Sequence, residues 1–254
     1  MLGDRQKRLH SLFPEPMANI GHRGARGLAP ENTLVSFLVG GDYTNAFELD
    51  TMLCGTGELV VIHDFTVDRT TDGNGLVESL GLRELKSLDA GGFFHENFEG
   101  EEIPTLEEVI QAMPEDTVFD IELKSEGDKS KRQQLVEALL KLIHKSKIEN
   151  RIFVSSFDWE LIRAVKVENP EILRGLLIEE NEVLNPNFLE FEPDIILPHH
   201  KSVTAEFKTT LGEIPIIPYT VNEPKDWDRL VSLGVRGIIT DYPDRLKTHL
   251  ESVK

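Results

Sequence analysis

Short apolar runs alternate with helical patterns along most of this 254-residue chain. Runs rich in Val, Ile, Leu and Phe predict buried strands at residues 18–23, 47–53, 118–123, 152–157, 173–178, 194–197, 214–221 and 237–240. Apolar positions at helical spacing predict helices at 33–40, 105–113, 131–147, 159–168, 204–211, 224–233 and 245–252. Alternating strands and helices are typical of a parallel sheet covered by helices. Eight units in about 250 residues predict a closed (β/α)8 TIM barrel, with an open doubly wound sheet as the alternative.

One connection, residues 54–116, is longer than a barrel loop needs to be. The turn CGTGE, followed by LVVIHD, predicts a β-hairpin that extends the second strand, with its returning strand at 59–62. The stretch LRELKSL predicts a short amphipathic helix. We therefore expect a single barrel domain over residues 1–254, with residues 54–116 as a small insertion subdomain over one barrel end.

The first residues, MLGDRQKRLHSLFPEPM, contain basic residues but neither a continuous apolar run nor a small-residue cleavage site. They predict a polar leader, frayed or loosely docked, instead of a signal peptide. No segment approaches the ~20 apolar residues of a membrane span, so we expect no membrane insertion.

Composition narrows the class of partners and the compartment. The formal net charge of −18 repels nucleic acids and anionic lipid headgroups, so we expect no nucleic-acid partner. Cys54 is the single cysteine and cannot form a disulfide within the chain, which indicates a reducing compartment. We therefore expect a cytoplasmic protein.

Charged residues end several predicted strands, at the carboxyl edge where barrel enzymes place their chemistry. Because side chains at i and i+2 of a strand share a face, Glu48 and Asp50 point together. Glu122 and Lys124 do the same on the next barrel strand. Their apolar neighbours pack against helices, so we expect these charged side chains to point into the barrel mouth.

Three carboxylates that converge at one mouth repel one another, and a divalent cation relieves that cost. Oxygen-only ligands favour Mg²⁺ or Ca²⁺ over zinc. The alternative is that the acids only form ion pairs with Arg23 or Lys124.

His22 and His63 lie beside the same acids and are candidate proton carriers, because an imidazole titrates near ~6.5. A lone histidine at a strand end more often has a purely structural role.

In combination, the motifs resemble the glycerophosphodiester phosphodiesterase family. They are HRGARGLAPENT (22–33), ELD (48–50), VVIHDFTVDRTTDGNG (60–75), IELK (121–124), TVN (220–222) and GIITDYP (237–243). The resemblance implies a (β/α)8 barrel with an insertion after the second strand. It also implies divalent-metal-dependent hydrolysis of small glycerophosphodiesters, such as glycerophosphocholine or glycerophosphoethanolamine, to glycerol 3-phosphate and an alcohol.

By the same resemblance, each site residue receives a role. The metal ligands are Glu48, Asp50 and Glu122, the general acid and base are His22 and His63, and the phosphate-facing cations are Arg23 and Lys124. Tyr219 stands where many family members have Trp, and we expect it to line the alcohol side of the substrate pocket. The motifs leave open which histidine is the acid. They also leave open whether the nucleophile is water or a neighbouring hydroxyl of the substrate, which would form a cyclic phosphate.

Two other functions compete with this interpretation. The first is a phospholipase D- or C-like enzyme that acts on membrane lipid, against which the net charge of −18 counts. The second is a binding protein on a barrel that has lost catalysis. Because the chain retains every residue of the presumed catalytic set, the sequence favours an enzyme.

Overall fold

The computed structural model describes residues 4–13, 17–126, 128–182 and 184–252. Its strands are β1 (Ala18–His22), β2 (Ala46–Leu53), β3 (Leu59–Val61), β4 (Val118–Leu123), β5 (Ile152–Ser156), β6 (Leu173–Ile178), β7 (Ile195–Pro198) and β8 (Gly237–Thr240). Its α-helices are α1 (Asp4–Leu12), α2 (Leu34–Gly40), α3 (Leu82–Leu85), α4 (Leu106–Ala112), α5 (Lys129–Ser146), α6 (Trp159–Glu168), α7 (Ala205–Leu211), α8 (Pro224–Ser232) and α9 (Pro243–Ser252).

The main sheet is parallel and closes on itself. Its strand order is β7-β6-β5-β4-β2-β1-β8, and β3 pairs antiparallel with β2 as the predicted hairpin. Residues 215–221 fill the gap between β7 and β8. The Ile217 N–H donates to the Ile196 carbonyl at 3.0 Å, and the Ile239 N–H donates to the Pro218 carbonyl at 3.0 Å. The fold is therefore the expected (β/α)8 barrel, not an open doubly wound sheet.

The predicted regular strand at 214–221 is wrong in detail. Pro215 and Pro218 have no N–H, so they cannot donate to a ladder. The segment makes only isolated parallel bridges, Ile196 with Ile216 and His199 with Tyr219. It still occupies the seventh position around the barrel.

Alternation along the strands divides the apolar residues between two layers. Inward-facing residues fill the barrel, and they include Ile20, Val118, Phe153, Leu173, Ile195 and Ile239. Outward-facing residues such as Leu49 and Ile121 pack with apolar residues of the surrounding helices. This filled interior leaves the ends of the barrel as the places where polar groups can meet.

Of the two expectations for the leader, frayed or loosely docked, the structure shows a docked one, and the docking is firmer than expected: α1 lies at the amino-terminal end of the barrel. Phe13 is fully buried and meets the Phe153 ring edge-on, with centroids 5.6 Å apart. Leu9 and Leu12 belong to the same interior cluster. Arg5 pairs with Asp194 at 2.5 Å. Burial of this apolar face outweighs the polar character of the segment.

The end of β2 and the residues after it build a third, smaller apolar cluster. Its buried members are Met52, Cys54, Val60, Ile62, Val67, Val77, Leu85, Ala90 and Ile103. The hairpin β2–β3 and helix α3 contribute to it. We call residues 54–116 the insertion region. Within the described residues, every helix is too short or too polar to cross a lipid bilayer.

Candidate active site

Strand register brings the predicted acidic residues to one place. His22 on β1 is paired in register with Glu48 on β2, and Asp50 on β2 is paired with Glu122 on β4. All four side chains are buried. Glu48, Asp50 and Glu122 each offer a carboxylate oxygen, and these three oxygens lie within 4.8 Å of one another. We call these three residues the acidic triad.

The acidic triad carries strongly perturbed carboxylates. Burial, followed by repulsion from Asp50 and Glu122, raises the pKa of Glu48 well above its ordinary value. Burial, followed by repulsion from Asp50, raises the pKa of Glu122 to about 7. Burial would also raise the pKa of Asp50, but the charges of Arg23 and Lys124 outweigh it and lower that pKa. The protein thus places negative charge where little water can solvate it.

The site suits a hard divalent cation. Asp50 Oδ1 is buried and accepts no hydrogen bond. Ion pairing accounts for part of the charge, because Arg23 Nε lies 3.2 Å from Asp50 Oδ2 and Lys124 Nζ lies 3.2 Å from Glu122 Oε1. Two cations facing three carboxylates still leave negative charge, and Asp50 Oδ1 has only the longer ion pair with Lys124 Nζ at 3.5 Å. Mg²⁺ and Ca²⁺ prefer such oxygen donors, so the acidic triad fits either of these two cations.

His22 is held by the carboxylate of Asp241, which follows β8. Its Nδ1 lies 2.6 Å from Asp241 Oδ1, and Asn222 Nδ2 donates to Asp241 Oδ2 at 2.8 Å. Because an ionised carboxylate only accepts, Nδ1 carries the proton. Nε2 therefore points the other way, 3.8 Å from Glu48 Oε2. Burial lowers the pKa of His22, although the hydrogen bond to Asp241 opposes that shift.

His63 follows β3 and uses the same device in a more open place. Its Nδ1 lies 2.5 Å from Asp64 Oδ1, and its side chain is 32% exposed. Burial is the largest cause that lowers the pKa of His63, and the charge of Asp50 opposes it. Each imidazole thus has one nitrogen fixed by a neighbouring carboxylate and the other available for proton transfer.

A left-handed turn over the acidic triad explains why β1 ends at His22 and not at the predicted residue 23. Arg23 has φ 51° and Gly24 has φ 88°, values that do not continue a strand. The turn aims the Arg23 N–H at Glu48 Oε2, 3.0 Å away. A Cβ on Gly24 would lie 2.5 Å from Ser36 Oγ, so only glycine fits there.

A cavity of about 650 Å³ opens beside the acidic triad, and we call it the mouth cavity. Its lining includes His63, Glu122, Lys124, Phe157 and Tyr219. The Tyr219 hydroxyl donates to the Ile178 carbonyl at 2.8 Å, and its ring meets Phe157 edge-on with centroids 5.8 Å apart. The acidic side chains of its lining, besides Glu122, are Glu126, Asp158, Glu179 and Glu180. The mouth cavity is thus both aromatic and acidic.

Four charged residues that support the site were not assigned a role from the sequence. They are Glu31, Asp64, Arg69 and Asp241, each bonded to a predicted site residue or to its carboxylate partner. All four lie inside the motifs quoted above. Asp64 is adjacent to His63, so the sequence offered a local signal for it. The contacts Asp241–His22 and Arg69–Glu31 join segments far apart in the chain, and for them position in a motif was the only signal.

Comparison with known proteins agrees with this geometry. The sequence profile described as "Glycerophosphoryl diester phosphodiesterase family" matches residues 22–245. The chain belongs to that family. The match begins at His22 and takes in every residue of the site described above.

Three relatives indicate the class of enzyme to which this chain belongs. A glycerophosphodiester phosphodiesterase of Caldanaerobacter subterraneus subsp. tengcongensis is 38% identical, covering 89% of this chain and 95% of its own. A rat protein named Lysophospholipase D GDPD1 is 28% identical, covering 92% and 86%. An Oleispira antarctica phosphodiesterase, solved in complex with the product sn-glycerol-3-phosphate, is 28% identical with a TM-score of 0.86, covering 95% and 98%. This chain is an enzyme of the glycerophosphodiester phosphodiesterase class.

Proposed function

We propose that the enzyme hydrolyses small glycerophosphodiesters, such as glycerophosphocholine and glycerophosphoethanolamine, to glycerol 3-phosphate and an alcohol. One observation carries the proposal: three buried carboxylate oxygens within 4.8 Å of one another, flanked by His22 and His63. The product held by the Oleispira antarctica relative supports the glycerol 3-phosphate half of the substrate.

Glu48, Asp50 and Glu122 would hold the metal, which we propose to be Mg²⁺ or Ca²⁺. When bound, the cation supplies positive charge against the phosphoryl oxygens. Arg23 and Lys124 border the acidic triad and would donate to the phosphate as well. The three carboxylates and one phosphodiester carry four negative charges. A divalent cation and these two side chains balance them.

We assign the two proton transfers by position. His63 lines the mouth cavity, so its Nε2 would give a proton to the departing alcohol. His22 is buried and faces Glu48, so its Nε2 would take the proton from the nucleophile. That nucleophile is water or the neighbouring hydroxyl of the glycerol group. In both histidines the carboxylate on Nδ1 stabilises the imidazolium, which is the form from which His63 gives its proton and the form that His22 reaches when it takes one.

The mouth cavity would receive the alcohol. Aromatic edges and faces attract cationic groups, and the acidic residues around Tyr219 and Phe157 add to that attraction. We therefore propose that choline and ethanolamine esters are better substrates than esters of neutral alcohols.

We further propose that the chain is one barrel domain with the insertion region as a small subdomain, and that it works in the cytoplasm. The separate apolar cluster of the insertion region supports the first statement. The buried free thiol of Cys54 supports the second.

The decisive experiment is the release of glycerol 3-phosphate from glycerophosphocholine, with and without a chelator and with Mg²⁺ or Ca²⁺ added back. We expect metal-dependent release. The name of the rat relative favours a second candidate, action on lysophospholipid, so micelles of lysophosphatidylcholine are assayed in parallel. Faster turnover of the lysophosphatidylcholine micelles would replace our substrate class, and metal binding without turnover of either substrate would indicate a binding protein.

A further inference from the structure

Arg69, in the insertion region, donates hydrogen bonds to two carboxylates from one guanidinium group. It donates to Asp64 at 2.6 Å from Nε and 3.1 Å from Nη2. It donates to Glu31 at 2.9 Å from Nη1 and 2.8 Å from Nη2. Glu31 belongs to the loop between β1 and α2. Arg69 therefore joins the insertion region to the barrel.

Each of these carboxylates holds a residue of the site. Asp64 is bonded to Nδ1 of His63 at 2.5 Å. Glu31 accepts from Nη1 of Arg23 at 2.6 Å. A continuous chain of charge-assisted hydrogen bonds thus runs from the imidazole, through Arg69, to the cation beside the acidic triad.

We propose that Arg69 is a positioning residue that fixes His63 through Asp64 and Arg23 through Glu31. The inference rests on the proposed function for the roles of these two groups. Arginine suits the task because its planar group offers five donors in a rigid fork, whereas lysine is a point charge that cannot bridge two carboxylates in this way.

The electrostatics of the two carboxylates agree with this role. The hydrogen bonds from Arg69 are the largest cause that lowers the pKa of Asp64 to about 2. Burial would raise the pKa of Glu31, but Arg69, Arg23 and Arg26 outweigh it and lower that pKa. Both acids stay ionised at working pH and accept their hydrogen bonds continuously.

An exposed ion pair often contributes little, so the test must separate positioning from simple charge. Arg26 offers a matched control. Its Nε lies 2.9 Å from Glu31 Oε2, and its side chain is 39% exposed against 42% for Arg69. The described contacts of Arg26 do not include Asp64. Arg26→Ala therefore removes one cation from the same carboxylate and leaves the His63 side of the chain intact.

We expect Arg69→Ala to lower kcat on glycerophosphocholine by about tenfold to a hundredfold, the range typical of residues that orient a site through a hydrogen bond. KM should change by less than about threefold, because Asp50 still holds Arg23. Arg26→Ala should stay within about twofold in both constants. Millimolar guanidinium should rescue Arg69→Ala, whereas methylammonium, with equal charge and the wrong shape, should not. Arg69→Lys, which keeps the charge and the fold, should be impaired like Arg69→Ala.

A near-normal kcat in Arg69→Ala, equal loss in Arg26→Ala, or equal rescue by methylammonium would overturn the proposal. Imidazole ¹⁵N spectra, assigned with His63→Gln, add an arm that needs no substrate. At a pH where the imidazole is neutral, wild-type His63 should hold its proton on Nδ1, and Arg69→Ala should lose that preference. An unchanged His63 signal in Arg69→Ala overturns the positioning role even if no substrate is turned over. A wild-type enzyme that hydrolyses no glycerophosphodiester refutes the proposed function instead.

Discussion

His22 and His63 receive the same hydrogen bond in different surroundings. Each has its Nδ1 on a carboxylate, Asp241 for His22 and Asp64 for His63. His22 lies on a barrel strand and is 9% exposed, whereas His63 lies in the insertion region and is 32% exposed. One imidazole belongs to the floor of the site and the other to its rim.

The comparison shows which parts of the site are rigidly determined. The floor consists of His22 and the acidic triad, and the register of β1, β2 and β4 sets it directly. The rim consists of His63 and the mouth cavity, and loops and the insertion region set it. We therefore expect substitutions of the floor and of His63 to lower turnover, and substitutions of the aromatic lining of the mouth cavity to change which alcohol departs.

The largest effect should come from the floor. Asp50→Asn removes the charge of a buried ligand oxygen, so Mg²⁺ or Ca²⁺ affinity and nearly all activity should be lost, as titration calorimetry can measure. Metal at a hundred times its Kd should stabilise the wild type by about 2.7 kcal/mol, roughly 5–10 °C in melting temperature. Asp50→Asn should lose that shift.

Asp120→Asn is the matched control for this prediction. Asp120 is equally buried on β4, one pair deeper in the barrel, and accepts a hydrogen bond from Ser155 Oγ at 2.6 Å. We expect its metal affinity to remain. Normal metal binding by Asp50→Asn would contradict the assignment of the acidic triad.

The second effect separates the two histidines. His22→Gln and His63→Gln should each lower kcat by about 10²–10⁴-fold, the usual contribution of general acid–base catalysis. Nitrophenolate is a leaving group that departs without a proton. A glycerophosphodiester that carries it should therefore be cleaved by His63→Gln at much of the wild-type rate, and by His22→Gln at little of it. The reverse pattern would exchange the two roles.

Sequence alone determined the floor far better than the rim. Strand periodicity placed Glu48, Asp50 and Glu122 on one face, and a barrel made that face converge. Arg69 and Glu31 are 38 residues apart and follow no period that would predict their contact. The docking of Phe13 was missed because the leader is too polar to indicate burial. Pro215 and Pro218 broke a strand that its apolar composition had predicted.

A third prediction concerns the stability of the protein after a chelator has removed its metal. The pKa of Glu122 is raised to about 7, above its ordinary value of 4.5. Folding therefore favours the protonated carboxyl, and this contribution to stability is complete below pH 4.5 and is lost as the pH rises through about 7. Melting temperature should fall over that interval, and Glu122→Gln should flatten the change. A metal-saturated sample provides the contrast, because bound cation favours the ionised form.

The smallest effect should come from the rim. Phe157→Leu should reduce the preference for glycerophosphocholine over glycerophosphoglycerol by about two- to fivefold, since a partly exposed cation–aromatic contact contributes about 0.5–1 kcal/mol. Tyr219→Phe, which keeps the ring and loses only the hydrogen bond to Ile178, should retain the preference. Competition between the two substrates in one tube measures the ratio directly. An unchanged ratio in Phe157→Leu would show that the mouth cavity does not select the alcohol.

The docked helix α1, with Phe13 after it, covers the amino-terminal end of the barrel. Phe13 fills the end of the barrel opposite the acidic triad, and among the described residues the predicted site residues all lie at the other end. Packing around Phe13 is therefore a source of stability that lies apart from the groups of the site. Directed evolution for thermal stability can begin around Phe13 without disturbing the groups that cleave the diester.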